Sequence, residues 1–135
     1  MTTTTLDTAF EIKSWDEQPY REESDGSKFC RNDVVLAGTG DGLADAGFEG
    51  LLHYRPDGTS TFVMLMRISG RLSGRSGGLV LSGTGAYDGQ AARCEMTIVP
   101  GSGTGELAGI TGSAASVSTH ADYPRMPVTL TYELA

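Results

Sequence analysis

Glycine and other turn residues interrupt this chain about every ten residues, and between them apolar and polar residues alternate. Alternation with a period of two places successive side chains on opposite faces of an extended strand. A helix instead needs apolar residues three and four apart, and almost no window of about eleven residues shows that stripe. Roughly eight strand-like runs result. They are Phe10 to Trp15, Lys28 to Ala37, Phe48 to Arg55, Ser60 to Ile68, Leu79 to Leu81, Ala92 to Val99, Ser113 to Thr119 and Pro127 to Leu134. The polar stretch Asp16 to Ser27, which holds Pro19 and Gly26, reads as a solvated excursion. Gly38-Thr39-Gly40-Asp41-Gly42 reads as a turn or bulge, and Pro56-Asp57-Gly58 as a turn. The expected fold is all-β: an antiparallel barrel of about eight strands, which closes its own edges and can hold one small ligand.

The 135 residues, read as one domain over 1–135, are enough for a core without metal or disulfide staples. A net charge of −7 excludes a nucleic-acid groove, which needs clustered Lys and Arg. Met1 to Leu6 carries neither a basic region nor a hydrophobic stretch, so no secretory signal is expected. No run approaches the ~20 apolar residues that span a bilayer. Cys30 and Cys94 show no metal-ligand spacing and are expected to be free, half-buried thiols of a reducing cytoplasm. No cofactor is implied.

Between two strand-like runs lies Val99-Pro100-Gly101-Ser102-Gly103-Thr104-Gly105-Glu106-Leu107-Ala108-Gly109-Ile110-Thr111-Gly112, with five glycines in fourteen residues. Gly103 to Ala108 matches the loose GxGxx(G/A) dinucleotide pattern. Gly109 and Gly112 would interrupt the helix that pattern requires, and no βαβ unit follows. The stretch is a long structural turn.

Candidate site residues follow from strand faces. Phe62, Met64 and Met66 share one face of their strand with Ile68, and Cys94 and Met96 share one with Ile98. This coherent apolar set is expected inside, where methionines suit an irregular ligand or fill a tight core. Arg67 and Glu95 then point outward. Glu49 and His53 share a face and stand about 13 Å apart at ~3.3 Å per residue, so they cannot touch, yet both could border one cavity. There His53 would shuttle protons near neutral pH, with Glu49 as its carboxylate partner. Tyr54 lies on the opposite face, so Tyr54 and the Glu49–His53 pair cannot all face inward. Tyr54 or Tyr132 would supply a hydroxyl. His120, in a polar loop with Asp122 and Pro124, is either a mouth residue or an ordinary loop histidine.

Several phrases, in order, resemble one bacterial family of small proteins of unknown function. They are Phe10-Glu11-Ile12-Lys13-Ser14-Trp15-Asp16-Glu17, Tyr54-Arg55-Pro56-Asp57-Gly58-Thr59, Gly74-Arg75-Ser76-Gly77, Val99 to Gly112, and Leu130-Thr131-Tyr132-Glu133-Leu134. That family is similar in fold to the allene oxide cyclase barrel. The resemblance implies a cofactor-independent cyclase or isomerase that shapes an apolar polyene-like or polyketide-like molecule inside the barrel. A non-catalytic binding barrel, and a filled barrel acting by association such as a homodimer, are the competing readings. Where the family carries Gly and Glu within the phrase Phe62 to Arg67, this chain has two methionines, and Met96 stands where tryptophan is usual. Glu49, His53 and Tyr54 are the expected catalytic candidates. Phe62, Met64, Met66, Cys94, Met96 and Tyr132 are the expected substrate-binding ones.

Overall fold

The computed structural model describes residues 2–40 and 42–135; Met1, and Asp41 of the Gly38–Gly42 turn, lie outside the described residues. Eight strands follow one another: β1 (Thr4–Glu22), β2 (Lys28–Gly38), β3 (Leu43–Tyr54), β4 (Ser60–Leu72), β5 (Arg75–Tyr87), β6 (Ala91–Ile98), β7 (Thr111–Thr119) and β8 (Arg125–Glu133). Each pairs antiparallel with the next, and β8 returns to β1, so the strands form a closed ring. The eight expected runs are all present, most of them longer than the alternation marks. Among the described residues no helix is long and apolar enough to cross a membrane.

One expectation changes. Asp16 to Glu22 is not an excursion but the second half of β1, paired with β2 out to Glu22–Lys28. Its side chains are mostly exposed, so the sequence carries little apolar alternation there. Register shifts between Ile12 and Ser14 and between Pro19 and Arg21 disturb the period further. The first half of β1 pairs with β8 through Glu11, and the second half has only β2 beside it.

The two ends of the ring differ. One end carries the connections β1–β2, β3–β4, β5–β6 and β7–β8. The other carries the chain ends and the connections β2–β3, β4–β5 and β6–β7. At this second end the β4–β5 hairpin turns through Ser73 and Gly74, with φ of 50° and 76°. Two positive φ values in a two-residue loop match the right-handed twist of the strands.

The glycine-rich stretch closes that end, and β5 explains how. Strand β6 stops pairing at Leu81–Ile98, leaving the start of β5 paired with β4 on one side and without a strand on the other. The loop fills the place: Thr104 N–H donates to the Gly78 carbonyl at 2.9 Å. Side-chain oxygens of Ser102, Thr104 and Glu106 accept from the N–H groups of Val80, Gly78 and Ser76 at 3.1, 3.0 and 3.0 Å. These bonds take up backbone donors that the strand ladder leaves free. The approach is close enough that a Cβ on Gly77 would sit 2.0 Å from the Thr104 carbonyl oxygen. Past it, the 3-10 turn Gly105–Leu107 drives Leu107 and then Ile110 into the core, where both are buried. With Phe10, Met66, Leu81, Ile98 and Leu130 they pack this half of the ring solid.

Candidate functional site

The other half is not solid. The difference lies in residue size at inward positions. Where the closed half has leucine, isoleucine and phenylalanine, the open half has Gly50, Gly83, Gly85, Ala92 and Ser116. Neighbours lie flat against these gaps. A Cβ on Gly85 would come within 2.5 Å of the Phe62 ring, and one on Gly83 within 2.4 Å of Met96 Cγ. The centre is left as a cavity of about 350 Å³, at the small end of the range that ligand sites occupy. Its apolar wall includes Trp15, Phe48, Leu52, Phe62, Met64 and Met126. Tyr87, His120, Tyr123 and Arg125 border it at the turn-bearing end, where the β7–β8 ladder has lapsed beyond Ala115–Thr129.

Polar side chains also reach the wall, and several of them are tied to fixed partners. The Tyr54 hydroxyl donates to Glu17 Oε2 at 2.7 Å, while Trp15 Nε1–H donates to Glu17 Oε1 at 3.2 Å. One carboxylate thus fixes two aromatic wall residues from behind. Burial, and then the hydrogen bond to Glu17, raises the Tyr54 phenol well above its ordinary range, so it stays a neutral donor. Tyr87 Oη and His120 Nε2 are 2.7 Å apart at the rim, their rings edge to face. Ser116 Oγ donates to the Pro127 carbonyl at 2.6 Å where the ladder has ended. Cys94 lies with its sulfur 3.4 Å from Met64 Sδ, and burial, with the nearby Glu95 charge, pushes its thiol up to about 11. Among the described residues no group of three or more His, Cys, Asp or Glu could hold a metal ion.

These shifts share a sign. Tyr54, Cys94 and Cys30 are acids whose neutral forms the fold favours; for Cys30 the cause is burial, then the Glu17 charge. Each contributes stability that is fully present below its unfolded pKa, about 8.5 for a thiol and 10 for a phenol, and lost as pH rises through the folded value. Urea unfolding midpoints are therefore expected to fall steadily above about pH 9. The fall should be shallower in Tyr54→Phe and in Cys94→Ala. A midpoint flat across that alkaline range in the native chain would contradict the assignment.

A family of proteins of unknown function, DUF3224, matches residues 6–132. The chain belongs to the DUF3224 family. A crystal structure of a DUF3224 protein of unknown function from Shewanella oneidensis MR-1, at 1.84 Å resolution, is similar with a TM-score of 0.74. It shares 23% sequence identity, and the match covers 99% of each chain, so the two share a fold. No curated protein matches.

Within this DUF3224 ring the expected site residues separate into three groups. Phe62, Met64, Cys94 and Tyr54 line the cavity together. Met66 and Met96 also point inward, but into the solid half or against Gly83, and neither borders the space. Tyr132 is buried at the closed end with its hydroxyl 2.7 Å from Ser73 Oγ, away from the cavity. Glu49 and His53 require correction, because strand alternation turns both outward. Phe48, Gly50, Leu52 and Tyr54 take the inner face of β3, leaving Glu49 to pair with Arg67 at 2.9 Å on the outer surface. His53 packs against Phe29 there with the rings tilted and their centroids 4.8 Å apart. Both cysteines are free, but fully buried rather than half-buried.

The outer wall has its own depression, wider at about 980 Å³ and open to solvent, with Leu51, Val63 and Leu65 among Asp33, Glu49 and Glu95. Its charged, shallow lining is a poor match for an apolar small molecule. Sequence reading missed Glu17, Trp15, Asn32 and Tyr87 as site residues. The first two fell in or beside the segment read as an excursion. Asn32 lies on a strand whose apolar neighbours gave no reason to single it out.

Proposed function

We propose that this chain binds an apolar small molecule inside the open half of the ring. The observation that carries the proposal is the cavity itself, whose exposed wall is mostly apolar with aromatic and sulfur-bearing side chains. An interior left open by glycine, alanine and serine also argues against a filled barrel that acts only through association. N-phenyl-1-naphthylamine, which fluoresces in apolar surroundings, tests the reading. Saturable one-to-one binding is expected, and absence of any enhancement would overturn it.

A second reading, cyclisation or isomerisation of the bound molecule, is favoured by one feature. A neutral phenol, Tyr54, borders the cavity with a carboxylate held behind it. With its one proton donated to Glu17, the phenol turns its oxygen lone pairs to the cavity, where they can face developing positive charge while the walls hold a flexible chain in a reactive shape. The expected similarity in fold between this family and the allene oxide cyclase barrel supports the same reading. Polyene and polyketide-like chains that also close unaided in buffer provide the test. The protein is expected to narrow the product mixture toward one ring isomer, and Tyr54→Phe to widen it again. A mixture identical to that in buffer would remove the catalytic reading and leave the binding one.

A further inference from the structure

We infer that the cavity's ligand carries a hydroxyl or N–H group that donates to the side-chain amide of Asn32. The inference rests on the binding reading above and names the chemistry of the molecule bound. Asn32 is 7% exposed and borders the cavity beside Met64, yet its Oδ1 is buried and meets no donor among the described residues. A buried amide oxygen without a partner costs free energy, and most buried polar groups in folded proteins are satisfied. A leucine of similar size would fit the apolar surroundings without that cost.

The surroundings make room for the amide. Its Oδ1 stands 2.8 Å from the point a Cβ on Gly50 would occupy, so only glycine at that position leaves the space. Gly50 is the direct cross-strand neighbour of Asn32 and also of Met64. The terminal torsion of asparagine is broad and two-fold, so the amide can turn its oxygen toward a donor arriving from the cavity. Three other polar wall groups are already engaged: Tyr54 with Glu17, Tyr87 with His120, Ser116 with Pro127. Among the described residues, Asn32 Oδ1 is the buried side-chain acceptor left without a partner, in a wall that is mostly apolar. An apolar ring-containing molecule with one alcohol, phenol or amine N–H satisfies both halves of this description. An acceptor-only analogue satisfies one.

Calorimetric titration of the full chain with 2-naphthol and with its methyl ether, 2-methoxynaphthalene, tests this. The native protein is expected to prefer the naphthol about tenfold, the scale of one buried hydrogen bond. Asn32→Leu, and Asn32→Ala as a variant that cannot overpack, are expected to bind both compounds alike. Their affinity for the ether should stay within about twofold of native, and the unliganded Leu variant should melt no lower than native. Equal binding of both compounds by the native protein, or a preference that survives in both variants, would overturn the inference and leave the cavity reading standing. Binding of neither compound would overturn both. A large loss of thermal stability in both variants would make Asn32 a structural residue and overturn the inference alone.

Discussion

In Ala92→Trp the affinity for N-phenyl-1-naphthylamine is expected to fall about tenfold or more, with the melting temperature within a few degrees of native. Ala92 borders the cavity and sits directly across the ladder from Tyr87. An indole there would enter space that is now empty. Overpacking a tight core costs ~1–3 kcal/mol because neighbours must leave their rotamers, but a cavity lets the added ring settle with less strain. The effect is therefore one of volume: the ligand loses its room. Fluorescence titration and a thermal melt on the same sample read the two quantities separately. Affinity unchanged from native would mean that the probe sits elsewhere, with the depression around Leu51, Val63 and Leu65 as the place to look, and the interior reading would fall.

Leu107→Ala should do the reverse. Leu107 is 2% exposed and belongs to the closed end, where the glycine-rich loop seals the ring. Removing a buried leucine costs the transfer free energy of the lost methyl groups plus a term for the void, ~2–5 kcal/mol together. For a domain of this size that corresponds to a fall in melting temperature of roughly 10 °C. The loop's hydrogen bonds to Ser76, Gly78 and Val80 depend on its seating, so a loss in the upper part of the range is expected. Probe binding measured well below the melting point should stay within about twofold of native, because Leu107 does not border the cavity. A drop below about 1 kcal/mol would mean that the loop is not what closes this end. Taken together, the two substitutions separate a half of the ring that holds the fold from a half that holds the ligand.

Alternation alone revealed strand number and shared faces in this chain, because it is local: a residue's face relative to its neighbours two positions away follows from the pleat. Phe62, Met64, Met66, Cys94 and Met96 were legible as inward residues for that reason, and the strong turn chemistry of Pro56-Asp57-Gly58 ended one strand and began the next. Local reasoning weakened where the pattern weakened. In the second half of β1 the register shifts and solvent exposure erased the period, and Glu17 and Trp15 went unrecognised with it.

Tertiary structure alone decided the rest. Whether β3 turns Tyr54 or Glu49 and His53 inward depends on which face meets the core, and Phe48 opposite Met66 settles that in favour of Tyr54. Two methionines on one strand face meet different fates, Met64 beside the cavity and Met66 in the packed half, because residues on other strands fill one level and leave the other open. The Tyr54–Glu17 hydrogen bond joins residues 37 positions apart. No local period encodes such a meeting. It follows from closing the ring, which fixes which side chains share a level and how much room they leave.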